Sequence, residues 1–264
     1  MLNSAQKLFQ RNEELKKLLD DYAEKYDTVD FLKDDPSKFI HVYSDKKNIE
    51  IAGFIASAFA YGKRELFIKL LDTFITPQRN LTDFISNFDE NDEFLKSFNY
   101  RFSKGIDFIQ LLKILQNLFA QNESIGSLFE YSYLKNKTIT GMLQGVADYF
   151  YSNVSMEITQ GFYHLIPNPS KGGAMKRMNM MLRWFVRKSP VDVGIWNFVD
   201  KSELIIPLDV HVANISRQIG LLTRKNNDMK SAVEVTQNLK TFAPKDPVKY
   251  DFALFGIGVN GIKL

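Results

Sequence analysis

Apolar residues recur at helical spacing almost from one end of this chain to the other, and the period-two alternation that marks a half-buried strand is nearly missing. The pattern predicts an all-α fold. Leu8, Leu15, Leu18 and Leu19 mark a first helix, and IEIAGFIASAFAYG (49–62) is apolar enough to run buried before it stops at Gly62. KRELFIKLLDTFI follows and is stopped by Pro77. Further helices are predicted over 80–88, 106–120, 123–133, 138–152 and 155–165, with Gly, Asn and Ser at the breaks. Most of the 22 phenylalanines fall on these segments. A ring stripe at helical spacing is read as core, because burying each ring is worth about 1.5–3 kcal/mol.

The sharpest interruption is IPNPSKGG (166–173), where two prolines and two glycines end one helix before AMKRMNMMLRWFVRKS (174–189) starts another. Met175, Met178, Leu182, Phe185 and Val186 form the apolar stripe of that second helix, while Lys176, Arg183 and Arg187 share a different face. Six basic residues and no acidic one lie between Lys171 and Lys188. A basic helix face is ordinarily solvated surface. Here it begins directly behind a Gly-Gly turn, where unpaired N–H groups and the helix dipole favour phosphate. Lys171, Gly172, Gly173, Arg177, Arg183 and Arg187 are therefore the expected contacts to a nucleic-acid backbone.

A second segment of interest is LIIPLDVHVANISRQIGL (204–221), a strand-like apolar run leading into a helix that carries Val212, Ile215 and Ile219 and stops at Gly220. Asp209 stands at the head of that helix, where a carboxylate caps free N–H groups.

Composition narrows the chemistry. With no cysteine in 264 residues, disulfides, thiolate catalysis, cysteine-bound zinc and iron–sulfur clusters are excluded. The only histidines are His41, His164 and His211, so neither a metal site nor a cofactor is expected. No run reaches the apolar length of a membrane span, and MLNSAQKLFQRNEELKKLLDDYAEKYD has the character of a charged amphipathic helix, not a signal peptide. A cytoplasmic protein is expected. Residues 1–130 carry 17 Lys+Arg against 21 Asp+Glu and residues 131–264 carry 17 against 10, which points a polyanion toward the C-terminal half. The expected division is an N-terminal helical lobe (1–135) packed against a C-terminal lobe (136–264).

Lys176 and Asp209 suggest a reaction. A partly desolvated lysine near other cations, here Arg177 and Lys171, has its pKa lowered and becomes a nucleophilic amine. A carboxylate on a facing helix would orient that amine and stabilise positive charge developing on a sugar ring as a glycosidic bond breaks. Trp184, Trp196 and His211 are candidates to stack an extruded base, although a tryptophan in a helical protein is more commonly core.

GGAMK (172–176) and IPLDVHV (206–212) together resemble the helix-hairpin-helix DNA glycosylases, base-excision repair enzymes in which a glycine-bearing hairpin precedes the helix of a catalytic lysine and an aspartate heads a later helix. The spacing between them, with SPVDVGIW at 189–196, resembles the archaeal 8-oxoguanine glycosylase branch more than endonuclease III relatives. The region through DPVKYDFALFGIGV (246–259) is also similar to an uncharacterised bacterial family assigned to this superfamily, and IAGFIASAFAYGKR (51–64) resembles an N-terminal glycosylase helix. The resemblance implies a two-lobed glycosylase-like fold with Lys176 as Schiff-base nucleophile, Asp209 as catalytic carboxylate and an oxidised purine as substrate. Because the hairpin reads IPNPSKGGA where the family has Leu-Pro-Gly-Val-Gly, Lys171 remains a rival nucleophile. A non-catalytic nucleic-acid-binding protein on the same scaffold, or an interaction protein with an acidic partner, are the alternatives.

Overall fold

A computed structural model describes residues 4–121 and 123–262. The side chains of residues 4–9 and 11, Leu8 among them, lie outside the described residues, as do Met1–Asn3 of the expected first helix. The architecture is α-helical: the one sheet in the described residues pairs two two-residue strands.

Helix α1 (Ser4–Tyr26) leads through two short 3-10 turns, Val29–Asp34 and Pro36–His41, into α2 (Lys46–Phe59). Asp45 starts α2 by accepting the Asn48 N–H at 2.9 Å. Every residue from Asn48 to Phe59 is buried, as expected for a helix apolar on all sides. Then come α3 (Arg64–Phe74), α4 (Leu81–Asn87) and α5 (Glu93–Ser97). A hairpin of β1 (Asn99–Tyr100) and β2 (Ser103–Lys104) joins α5 to α6 (Gly105–Ala120). The chain continues with α7 (Ile125–Asn136), α8 (Ile139–Ser152), α9 (Gln160–Leu165), α10 (Lys176–Val186), α11 (Val210–Gln218), α12 (Met229–Lys240) and α13 (Asp251–Val259).

The helices pack as two groups around one continuous core. In the first, α2 touches α4, α7 and the Pro36–His41 turn, and α6 touches α4, α5 and α9. In the second, α13 packs on α1 and α11, and a 3-10 turn at Pro247–Tyr250 packs on α1 and α12. Helix α10 lies on α2 so closely that a Cβ added at Gly53 would come within 2.3 Å of the Phe185 ring. The division expected between residues 135 and 136 falls at the last residue of α7, which packs on α8, and α1 lies against the last helix. The groups are therefore assembled from both halves of the sequence.

Other expectations shift in detail. Helix α9 begins at Gln160, not near 155, because the Thr159 hydroxyl caps it by accepting from Phe162 N–H. The strand-like run before Asp209 is extended but joins no sheet; the Ile206 N–H is satisfied by Thr236 Oγ1 at 3.0 Å. No helix among the described residues is long and apolar enough to cross a membrane.

Candidate active site at three helix starts

A cavity of about 1100 Å³ opens where the two groups meet, walled by Phe31, Phe67, Tyr61, Phe252, Phe255 and Met180. Lys176, the first residue of α10, and Asp209, the residue capping α11, both line it. Their side chains meet with Nζ 3.2 Å from Oδ2. The capping role and the pairing use different oxygens: Oδ1 accepts the Val212 N–H at 2.9 Å. The cap thus fixes the carboxylate plane and turns its second oxygen toward the amine. Lys176 remains 38% exposed against 15% for Asp209, so the amine is reachable from the cavity while the carboxylate is held behind it.

One of the cations expected beside this amine, Arg177, is directed elsewhere. Its guanidinium donates to the carbonyls of Ala58 and His164 and stacks 5.2 Å over Tyr61. Burial pulls its pKa down to about 10, and its donors are committed to the main chain instead of phosphate. The charged groups near Lys176 are carboxylates, Asp209 and the buried Asp251 that heads α13. Burial pushes Asp251 up to about 6; Asp209 adds to the rise, and the Arg183 and Lys176 cations oppose it.

Arg183 and Arg187 are not a solvated face. Helix α10 is buried from Met178 to Phe185, so the side opposite its apolar stripe is also interior. Arg183 donates through Nε to Asp192 at 3.2 Å and through Nη1 to Asp251, above the Phe252 ring at 4.1 Å. Arg187 donates to Asp192, to Asp246 at 3.0 Å and to Asp27 at 3.3 Å. These arginines are 4% and 5% exposed and sew α10 to the chain after α1, the 189–194 loop and the start of α13. Contrary to the sequence expectation, both guanidiniums are committed to carboxylates inside the fold and form no solvated face for a DNA backbone.

The tryptophans are core as well. Trp184 is fully buried, and Trp196 donates Nε1–H to Glu50 Oε1 at 2.8 Å among Phe129, Phe185 and Phe198. They cannot stack a base. His211 is the one base-pocket candidate at the cavity, exposed and edge-on to Phe255 at 6.3 Å. The hairpin between α9 and α10 keeps Lys171, Gly172 and Gly173 exposed, with Lys171 and Gly173 on the cavity wall. Gly172 adopts φ 77°, a left-handed conformation suited to glycine, and its carbonyl accepts the Met229 N–H that opens α12. Among the described residues no group of three His, Asp or Glu could hold a metal ion.

Sequence reasoning missed two groups. Asp251 lay within the segment 246–259 without being singled out. The cavity wall also carries Arg64, 5.4 Å over Phe255, and Arg101 lies beside it, its side chain against the wall residue Gly62. Neither has an ion-pair partner among the described residues.

No curated protein and no solved structure shows a match to this chain. A family model described as a protein of unknown function, DUF2400, matches residues 35–260, a span that takes in the cavity from Asp35 on its wall to the end of α13. The chain belongs to the DUF2400 family.

Proposed function

We propose that the protein is a DNA N-glycosylase with an abasic-site lyase step, built on a two-lobed helix-hairpin-helix glycosylase-like fold and acting on an oxidised purine such as 8-oxoguanine. The observation that carries the reading is the 3.2 Å approach of Lys176 Nζ to Asp209 Oδ2 on the wall of an aromatic cavity able to take a nucleotide. Helices α9 and α10 flanking the Gly172–Gly173 turn support the hairpin assignment.

In this reading the target nucleotide leaves the stack and enters the cavity. Asp209 takes a proton from the Lys176 ammonium and passes it to the departing base, which leaves with the electrons of the C1′–N glycosidic bond. Asp209, anionic again, faces the positive charge left on the sugar while the free amine bonds to C1′. Transfer of a proton from Nζ to the ring oxygen O4′ opens the ring and gives the protonated imine between Nζ and C1′. Loss of a C2′ proton then expels the 3′ phosphate, and water hydrolyses the imine to regenerate the amine.

Borohydride tests this directly. On duplexes bearing oxidised bases, reduction of the imine gives a covalent protein–DNA adduct, which Lys176→Gln should abolish and Lys171→Gln should retain. Asp209→Asn keeps a competent helix cap, so stability should change little, while base release should fall by about two to three orders of magnitude. Trapping that follows Lys171 instead would move the nucleophile there. DNA binding with no trapping on oxidised, alkylated or deaminated bases would select the non-catalytic alternative.

A further inference from the structure

We propose that the β1–β2 hairpin is a stacking platform for an unpaired nucleobase of the strand lying across the cavity mouth, with Phe102 as the stacking ring and Arg101, Lys104 and Arg64 as phosphate contacts. The inference rests on the nucleic-acid part of the reading above but not on its chemistry.

Phe102 sits at the hairpin tip, 44% exposed. One face of its ring lies parallel to the His164 imidazole, at 4.2 Å between centroids and 4° between planes. The accessible part is thus the opposite face and edge. The stack continues inward: His164 lies on Tyr61 at 5.6 Å, and Arg177 covers Tyr61. His164 and Tyr61 line the cavity, so the outermost ring of the column adjoins the mouth. Burial, with Arg177 and Arg101 nearby, lowers the His164 pKa, which keeps the supporting ring uncharged at neutral pH.

An exposed phenylalanine alone would mean little. This one is held in place. The Tyr61 hydroxyl is 2.8 Å from Ser103 Oγ and 3.1 Å from the Tyr100 carbonyl, and the Tyr100 hydroxyl donates back to the Tyr61 carbonyl. Ser103 Oγ donates to the Gly161 carbonyl at 3.3 Å. Arg101 takes a left-handed φ of 55°, which costs a non-glycine residue about 1 kcal/mol. A strained residue at the tip of a pinned hairpin is the kind of local cost that binding sites retain.

Charge names the occupant. Arg101 and Lys104 are exposed on either side of Phe102 in sequence, and Arg64 stands on the cavity wall. None of the three has a carboxylate within ion-pair distance among the described residues. Free cations interleaved with a flat accessible ring suit a polyanionic strand whose bases are unstacked. A paired base offers no open π-face, so the platform selects an unpaired one. That is the kind of base left beside or opposite a nucleotide that has moved into the cavity.

The test uses full-length Lys176→Gln protein, so that chemistry plays no part, with two duplexes: one fully paired, and one with a base opposite a tetrahydrofuran abasic analogue. Phe102→Ala should weaken binding to the second by about five- to a hundredfold and leave binding to the first nearly unchanged. Phe102→Trp should preserve affinity. Because Trp184 and Trp196 are buried, the added indole reports from the surface, and its fluorescence should be quenched by the unpaired-base duplex alone. Arg101→Gln and Lys104→Gln should each lower the salt slope by about one. Equal affinity of Phe102→Ala for both duplexes relative to the parent, or an unquenched indole, overturns the platform while leaving imine trapping by Lys176 intact. A platform that behaves as expected in a protein that never traps overturns the glycosylase reading alone. Failure of every variant to bind DNA overturns both.

Discussion

As an interior link, Arg183 should matter for the stability of the fold and not for the DNA binding proposed above. Its guanidinium serves two carboxylates: Asp192, which is 1% exposed, and Asp251, which is 5% exposed. Arg183→Met keeps most of the stem volume but removes the charge. Asp192 retains Arg187, whereas Asp251 keeps no other side-chain donor among the described residues. Removing one partner of a buried ion pair costs about 3–5 kcal/mol, because the other charge is left desolvated. For a chain of this size that corresponds to a fall in Tm on the order of 10 °C.

The assay is thermal or urea unfolding followed by circular dichroism, run beside DNA binding at several salt concentrations. Adding Asp251→Asn to Arg183→Met should recover part of the loss, since it removes the orphaned charge, and this non-additivity is the signature of a coupled pair. The salt slope of the folded variant should match the parent protein. An Arg183→Met protein of unchanged stability whose salt slope drops by about one would refute the reasoning and return Arg183 to the DNA surface.

Two further outcomes concern pH. For Asp20, burial alone would raise the pKa, but hydrogen bonds from Lys16, Lys249 and Tyr250 prevail and hold it at about 2, below its ordinary 3.8. Its contribution is therefore present above about pH 4 and lost as pH falls toward 2; Asp20→Asn should flatten urea-derived stability in that window, by about 1 kcal/mol after solvent screening. Asp251 has the opposite sign: with its pKa raised from 3.8 to about 6, its contribution is present below about pH 4 and lost as pH rises through 6. Asp251→Asn should remove that decline, and an unchanged slope between pH 4 and 7 would show that the carboxyl is not shifted upward.

Much of the helical plan was legible because helix starts are local events. Asp45, Asn80, Thr138 and Asp209 each cap the helix that the apolar spacing announced, within three residues of the expected start. What spacing could not supply was the environment of each face. Lys176, Arg183 and Arg187 do recur at helical intervals, but apart from Asp192 the acidic partners of the two arginines lie far off in sequence: Asp27 is 160 residues from Arg187 and Asp251 is 68 from Arg183. The excess positive charge of the C-terminal half is consequently no map of surface potential. Some of it is neutralised inside, and three cations without an ion-pair partner among the described residues, Arg64 on the cavity wall and Arg101 and Lys104 on the β1–β2 hairpin, come from the half that is net acidic. Helix α13 was missed for a related reason: DFALFGIGV is apolar on every side, so it has no amphipathic period to detect.

The lysine–aspartate pair was legible because both members stand at helix starts and three helices begin at one cavity. Lys176 opens α10, Asp209 caps α11 and Asp251 opens α13. The Cα–Cβ bonds of a helix tilt toward its N-terminus, so residues at the start project beyond the helix end into whatever space that end faces. The positive ends of three dipoles therefore converge on the same cavity and favour negative charge there. That field makes the cavity hospitable to a phosphate-flanked ligand even with Arg177, Arg183 and Arg187 turned inward. Asp251 escaped notice because its helix continues directly from the Pro247–Tyr250 turn, with Tyr250 at the cap and no side-chain cap bond to announce the start.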